Sequence, residues 1–165
     1  MHQLHGKYPK IKLHVIGPID KLTRKELIDI DCSSVQFYGE LNFEQIKEIY
    51  KISDIGLSMC FFDACPNSVI EMMASGLPVV TTEISGAFEL VDYQNCFGVP
   101  ENIDYVFTEL QTTRKLPQIS IKKWSYKIIE ILENKVKYEN MIKEIFEKKL
   151  DIKIIAKKYA NLVRK

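Results

Sequence analysis

Glu71 is the only charged residue across positions 64–82, which read Ala-Cys-Pro-Asn-Ser-Val-Ile-Glu-Met-Met-Ala-Ser-Gly-Leu-Pro-Val-Val-Thr-Thr. A carboxylate in such apolar surroundings is costly unless hydrogen-bond donors meet it. A second acid, Asp63, stands just before the run. Pro66 marks a first helical turn and Gly76 a helix end, so the spacing predicts a helix over 67–75. The N-terminus of that helix, with the backbone N–H groups of Asn67, Ser68 and Val69, favours an anion, most simply a phosphate. Glu71, one turn in, is placed to accept hydrogen bonds from two adjacent ribose hydroxyls. Asp63, on the preceding loop, is placed to face a sugar hydroxyl. Two plainer roles stay open. Glu71 can serve as a dipole partner near a helix start, and Asp63 as a turn acid.

These residues need a scaffold, and the pattern around them supplies one. Strands are expected over 12–16, 35–38, 55–59, 78–81 and 96–99. Helices are expected between them. Thr23 with Glu26, and Asn42 with Gln45, have the spacing of N-terminal capping pairs. Residues 55–59 are apolar on both faces, as in a parallel sheet covered by helices. Further helices are expected over 87–91, 102–112, 121–134, 138–150 and 152–163, the last three rich in lysine. The alternation implies an α/β fold, a Rossmann-like doubly wound parallel sheet with a C-terminal helical tail. One domain is expected over 1–165, with a core over 10–118 and a tail over 119–165. In such sheets ligands bind beyond the carboxyl ends of the strands. Gly17, Gly39, 59–66 and 82–86 are then expected along one crevice flanked by Asp63 and Glu71.

Composition narrows the class. Net charge is +1, so no strong field points to nucleic acid. No apolar run reaches the ~20 residues of a membrane span, and no signal peptide is expected from Met1-His2-Gln3. Cys32, Cys60, Cys65 and Cys96 have neither a redox nor a zinc spacing, so reduced thiols in a cytoplasmic protein are expected. His2, His5 and His14 lack ligand spacing, and no metal is expected. Trp124 is expected to anchor the packing of the tail.

Residues 63–80 resemble the donor-site signature of retaining glycosyltransferases of the GT-B fold, family four, also called glycosyl transferases group 1. That pattern is an acid, seven residues, then Glu-x-Met-Ala-x-Gly-x-Pro-Val. The flanks are similar too: Leu13-His14-Val15-Ile16-Gly17, Val35 to Gly39 with Ile46, Tyr50 and Ser53-Asp54-Ile55, and Ser85-Gly86-Ala87-Phe88-Glu89-Leu90-Val91. The resemblance runs over about 12–99. It implies the C-terminal, donor-binding half of a GT-B enzyme. In that half Glu71 binds the nucleotide ribose and Asp63 the transferred sugar, and these two are the catalytic candidates. The backbone at Asn67, Ser68 and Val69 holds the diphosphate, while Gly17, Tyr38, Gly39 and Leu41 frame the base. The family more often has Glu at the position of Asp63.

The resemblance also implies a substrate and partners. The substrate is a nucleotide-diphospho-sugar, with no cofactor and no metal. The complete enzyme would pass a hexose to a glycan or lipid-linked acceptor in polysaccharide or lipopolysaccharide biosynthesis. The N-terminal acceptor domain is expected to be absent from these 165 residues, as in a truncated product or a split enzyme. So is the Arg and Lys pair that neutralises the leaving diphosphate. No nucleic acid partner is expected. Peripheral contact at the inner face of a membrane is open to the full-length protein through the lysines of 122–165. Two alternatives share the architecture: a nucleotide-sugar epimerase half, and a non-catalytic accessory subunit of glycan biosynthesis.

Overall fold

The computed structural model describes Leu4 and residues 6–19, 33–60, 63–91, 98–99 and 119–163. The chain divides into two compact units, Met1–Ser53 and Asp54–Lys165.

In the first unit, β1 (Leu13–Ile16) and β2 (Val35–Gly39) pair in parallel, with Leu13 opposite Val35 and Val15 opposite Phe37. The register slips after Val15, so that Ile16 meets Gly39. Helix α1 (Phe43–Ile52) follows. Asn42 caps it as its spacing predicts. Its Oδ1 accepts from the Gln45 N–H at 3.0 Å, and Gln45 Oε1 accepts from the Asn42 N–H at 3.0 Å. Ser53 ends the helix, its Oγ donating to the Ile49 carbonyl at 2.7 Å.

The second unit holds β3 (Gly56–Ser58), β4 (Val79–Thr82) and β5 (Gly98–Val99), all parallel, in the order β3-β4-β5. All four residues of the central β4 are buried. Helix α2 (Asn67–Ala74) joins β3 to β4 and buries Val69, Met72 and Met73, spaced at one face of a helix. Gly76, at φ +81°, closes it. The Gly76 N–H donates to the Met73 carbonyl at 2.9 Å and the Leu77 N–H to the Met72 carbonyl at 3.0 Å. A glycine is favoured there because the left-handed backbone carries no Cβ penalty. Helix α3 (Gly86–Val91) buries Ala87 and Val91.

The tail comprises α4 (Ile121–Glu133), α5 (Lys135–Ile145), a π-helical turn (Phe146–Leu150) and α6 (Ile152–Val163). Trp124, Ile128 and Ile131 of α4 and Tyr138, Ile142 and Ile145 of α5 are buried. Each such side chain stabilises the fold by about 1.5–3 kcal/mol relative to exposure. Trp124 is the packing anchor its position suggests. Helix α2 packs on α5 and on the π-helical turn, and α4 on β5.

The strands alternate with helices and every pair among the described strands is parallel, as the α/β expectation has it. Some boundaries shift. The strand expected over 55–59 is confined to Gly56–Ser58, with Met59 exposed. The helix expected over 138–150 starts at Lys135, where α5 follows α4 directly, and turns π-helical after Ile145. The helices expected over 23–30 and 102–112, residues 96–97, Cys32, Cys96, His2 and His5 lie outside the described residues. Among the described residues no helix is long and apolar enough to cross a membrane.

Candidate functional site

Helix α2 starts without a side-chain cap. Pro66 occupies the N-cap position at φ −68° and offers neither an N–H nor a polar side chain. Among the described residues, the N–H groups of Asn67 and Ser68 make no hydrogen bond. Both residues are exposed. The Val69 N–H already donates to the Pro66 carbonyl at 3.1 Å, and the Val69 side chain is fully buried. An anion at this end would therefore meet the N–H groups of Asn67 and Ser68 first and share that of Val69. Glu71 is the fifth residue of the helix and half-buried, flanked in sequence by half-buried Ile70 and buried Met72. Its carbonyl accepts from the Ser75 N–H and Oγ, each at 3.0 Å.

Asp63 is exposed, and its Oδ1 accepts from the Cys65 N–H at 3.0 Å. This is the turn geometry an aspartate favours, so the plainer role is present at one carboxylate oxygen. Its main-chain carbonyl accepts from the Gly86 N–H at 3.0 Å. Cys65 is an exposed free thiol and Cys60 a half-buried one. Beneath them lies a group of buried hydroxyls at the end of β4. Thr82 Oγ1 donates to the Cys60 carbonyl at 2.7 Å. Thr81 Oγ1 and Ser85 Oγ lie 3.3 Å apart, and Ser85 Oγ donates to the Thr82 carbonyl at 3.5 Å.

The remaining candidates lie in the first unit. Gly17 and Gly39 meet in a bridge at the ends of β1 and β2, the Gly17 N–H donating to the Gly39 carbonyl at 2.8 Å. Tyr38 turns its hydroxyl to His14 Nδ1 at 2.8 Å, with the rings stacked 5.7 Å apart. Leu41 is half-buried just before the cap of α1. Asp63, Asn67, Ser68, Val69 and Glu71 all belong to the second unit, around the start of α2.

Sequence reasoning missed the His14–Tyr38 contact and the anchoring of the Asp63 segment by Thr82 and Gly86. One signal for the second was visible. Thr81, Thr82 and Ser85 put three hydroxyls at the end of an otherwise apolar strand. Among the described residues, no three His, Cys, Asp or Glu side chains gather as metal ligands do.

Comparisons with known proteins bear on the same region. The chain is 25% identical over 89 residues to the O-antigen biosynthesis glycosyltransferase WbnH of Escherichia coli, covering 53% of this chain and 25% of that protein. A probable O-antigen biosynthesis glycosyltransferase of the same organism, WbiN, matches with the same figures. The chain thus spans about a quarter of the length of these curated relatives. Among solved structures, the pneumococcal O-GlcNAc transferase GtfA in complex with UDP and GlcNAc is similar at a TM-score of 0.68 and 19% identity. That likeness covers 98% of this chain and 31% of GtfA. The sucrose-phosphate synthase of Thermosynechococcus elongatus gives 0.70 and 16%, over 98% of this chain and 40% of the synthase. These likenesses give the chain the fold of a GT-B glycosyltransferase domain. A family description, Glycosyl transferases group 1, matches residues 1–112, which take in the Asn42–Gln45 cap, Asp63, Glu71 and the whole of α2. The chain therefore belongs to the glycosyl transferases group 1 family.

Proposed function

We propose that this chain is the donor-binding half of a retaining glycosyltransferase. Its donor would be a nucleotide-diphospho-sugar and its acceptor a hydroxyl of a glycan or lipid-linked saccharide. The observation that carries this is the start of α2. Two N–H groups without partners among the described residues, at the exposed Asn67 and Ser68, stand one turn before a half-buried Glu71. Family membership and the O-antigen relatives support the same assignment.

Each group then has a task. The N–H groups of Asn67 and Ser68, aided by the helix dipole, hold the diphosphate. Glu71 accepts hydrogen bonds from the ribose hydroxyls. The other carboxylate oxygen of Asp63, which makes no hydrogen bond among the described residues, accepts one from the sugar. In transfer, the bond between the anomeric carbon and the diphosphate oxygen breaks. The acceptor oxygen bonds to that carbon, and its proton passes to the departing diphosphate. Fixed N–H dipoles stabilise the charge that develops on the leaving oxygen. No protein nucleophile takes part and no metal is called for.

Calorimetry tests the proposal directly. Uridine, guanosine and adenosine diphosphates at millimolar concentration, with and without a chelator, are expected to give weak, chelator-insensitive binding with at least one base. Absence of heat with all three would count decisively against a donor site. The tail suggests a second contact. Helix α6 exposes Ile152 and Tyr159 beside Lys153, Lys157 and Lys158, the composition of a helix that lies on an anionic membrane face. Sedimentation with phosphatidylglycerol vesicles but not with neutral ones is the expected result, and equal behaviour with both would remove the membrane from the picture.

A further inference from the structure

We propose that Gly86 and Thr82 are positioning residues. They fix the segment that carries Asp63 and so set the angle at which its carboxylate meets the donor sugar. This role rests on the donor-site assignment above. Asp63 is exposed, so burial does not orient it. Main-chain anchors on either side of it do. Thr82 Oγ1, fully buried, donates to the Cys60 carbonyl at 2.7 Å. The Gly86 N–H donates to the Asp63 carbonyl at 3.0 Å. A Cβ at Gly86 would lie 1.9 Å from the Ala64 carbonyl oxygen, 2.4 Å from its carbon and 2.7 Å from the Ala64 Cα.

All three atoms are backbone, so no rotamer change relieves such a clash. The Asp63–Ala64 segment seats itself against the bare face of Gly86, and any side chain there must push it away. With the main chain held, Asp63 Oδ1 takes the Cys65 N–H, leaving its other oxygen without a hydrogen bond among the described residues. Ser85, buried between Thr81 and Thr82, holds the turn that presents Gly86. A carboxylate with one oxygen tied into a turn has little freedom to re-aim. Its reach is therefore set by where the main chain sits.

Three variants of the full 165-residue chain test this: Gly86→Ala, Thr82→Val and Thr82→Ser. Binding is measured for uridine, guanosine and adenosine diphosphates and for their glucose conjugates, after circular dichroism has checked the fold. Gly86→Ala and Thr82→Val are expected to hold nucleoside diphosphates as the unchanged chain does. The added affinity for the diphospho-glucose should fall about tenfold, as for loss of one charge-assisted hydrogen bond. Thr82→Ser, which keeps the hydroxyl, should restore it. A purely structural role would lower thermal stability without splitting the two ligands apart. Amide exchange in the free protein gives a second readout. The Gly86 and Cys65 amides should be protected in the unchanged chain and exchange faster in Thr82→Val. Normal sugar-dependent affinity and unchanged exchange in both folded variants would overturn the proposal. An unchanged chain that binds no nucleotide would instead refute the donor site itself, while exchange still reported whether the anchors hold.

Discussion

Glu71 is the fifth residue of α2, beyond the first turn, and that position separates two roles. A helix dipole acts mainly on charges within the first turn. A dipole partner would be expected at Asn67, Ser68 or Val69, and none of these is acidic. Replacing Glu71 by Gln keeps the volume and removes one charged acceptor. Nucleoside diphosphate affinity is expected to weaken by about 1–3 kcal/mol with the fold retained. Titration calorimetry beside circular dichroism checks this, and unweakened binding would return Glu71 to a structural role. The place of Glu71 on a short helix was legible because its boundaries are local chemistry. Pro66 cannot continue a hydrogen-bond ladder backwards, and Gly76 takes the φ that ends the helix. The anchoring of Asp63 was not legible. It depends on Thr82 and Gly86, some twenty residues away, and on a missing Cβ that matters only once Ala64 lies against it.

At the scale of elements, a polar link joins α4 to α5. Lys127 Nζ lies 2.8 Å from Glu130 Oε2, and the buried Tyr138 donates its hydroxyl to the other carboxylate oxygen. Burial pushes the Glu130 carboxyl up, but the hydrogen bonds from Lys127 and Tyr138 together hold it below its ordinary value. A carboxylate lowered on folding contributes stability above the ordinary glutamate range, and that contribution is lost as pH falls through the lowered value. Tyr138→Phe is expected to cost roughly 1 kcal/mol near neutral pH, at the modest end because Glu130 is 44% exposed. The gap between the two proteins should then narrow on acidification. Urea titrations at neutral and acid pH measure it, and a gap that widens in acid would refute the link. The cap of α1 could be read, from Asn42 with Gln45. Strand pairing could not, since a run such as 55–59 declares that it is buried but not which edges meet. The π-helical turn was equally hidden. It rests on the Asp151 N–H reaching back to the Phe146 carbonyl at 3.0 Å, which no local residue preference announces.

At the scale of the molecule, donor binding and transfer should come apart. The chain spans about a quarter of its O-antigen relatives and 31% of GtfA. The groups we assign to it hold a nucleotide and one face of a sugar, and none of them positions an acceptor hydroxyl. Orienting a second reactant can be worth roughly 7–11 kcal/mol of a barrier. Without that contribution, transfer is expected to fall below detection even where the donor still binds. The 165-residue polypeptide, purified alone, is therefore expected to bind nucleotide and yet give no labelled product with radiolabelled donors and saccharide or lipid-linked acceptors. Product well above background, lost on Glu71→Gln, would mean that these residues assemble a complete cleft by themselves.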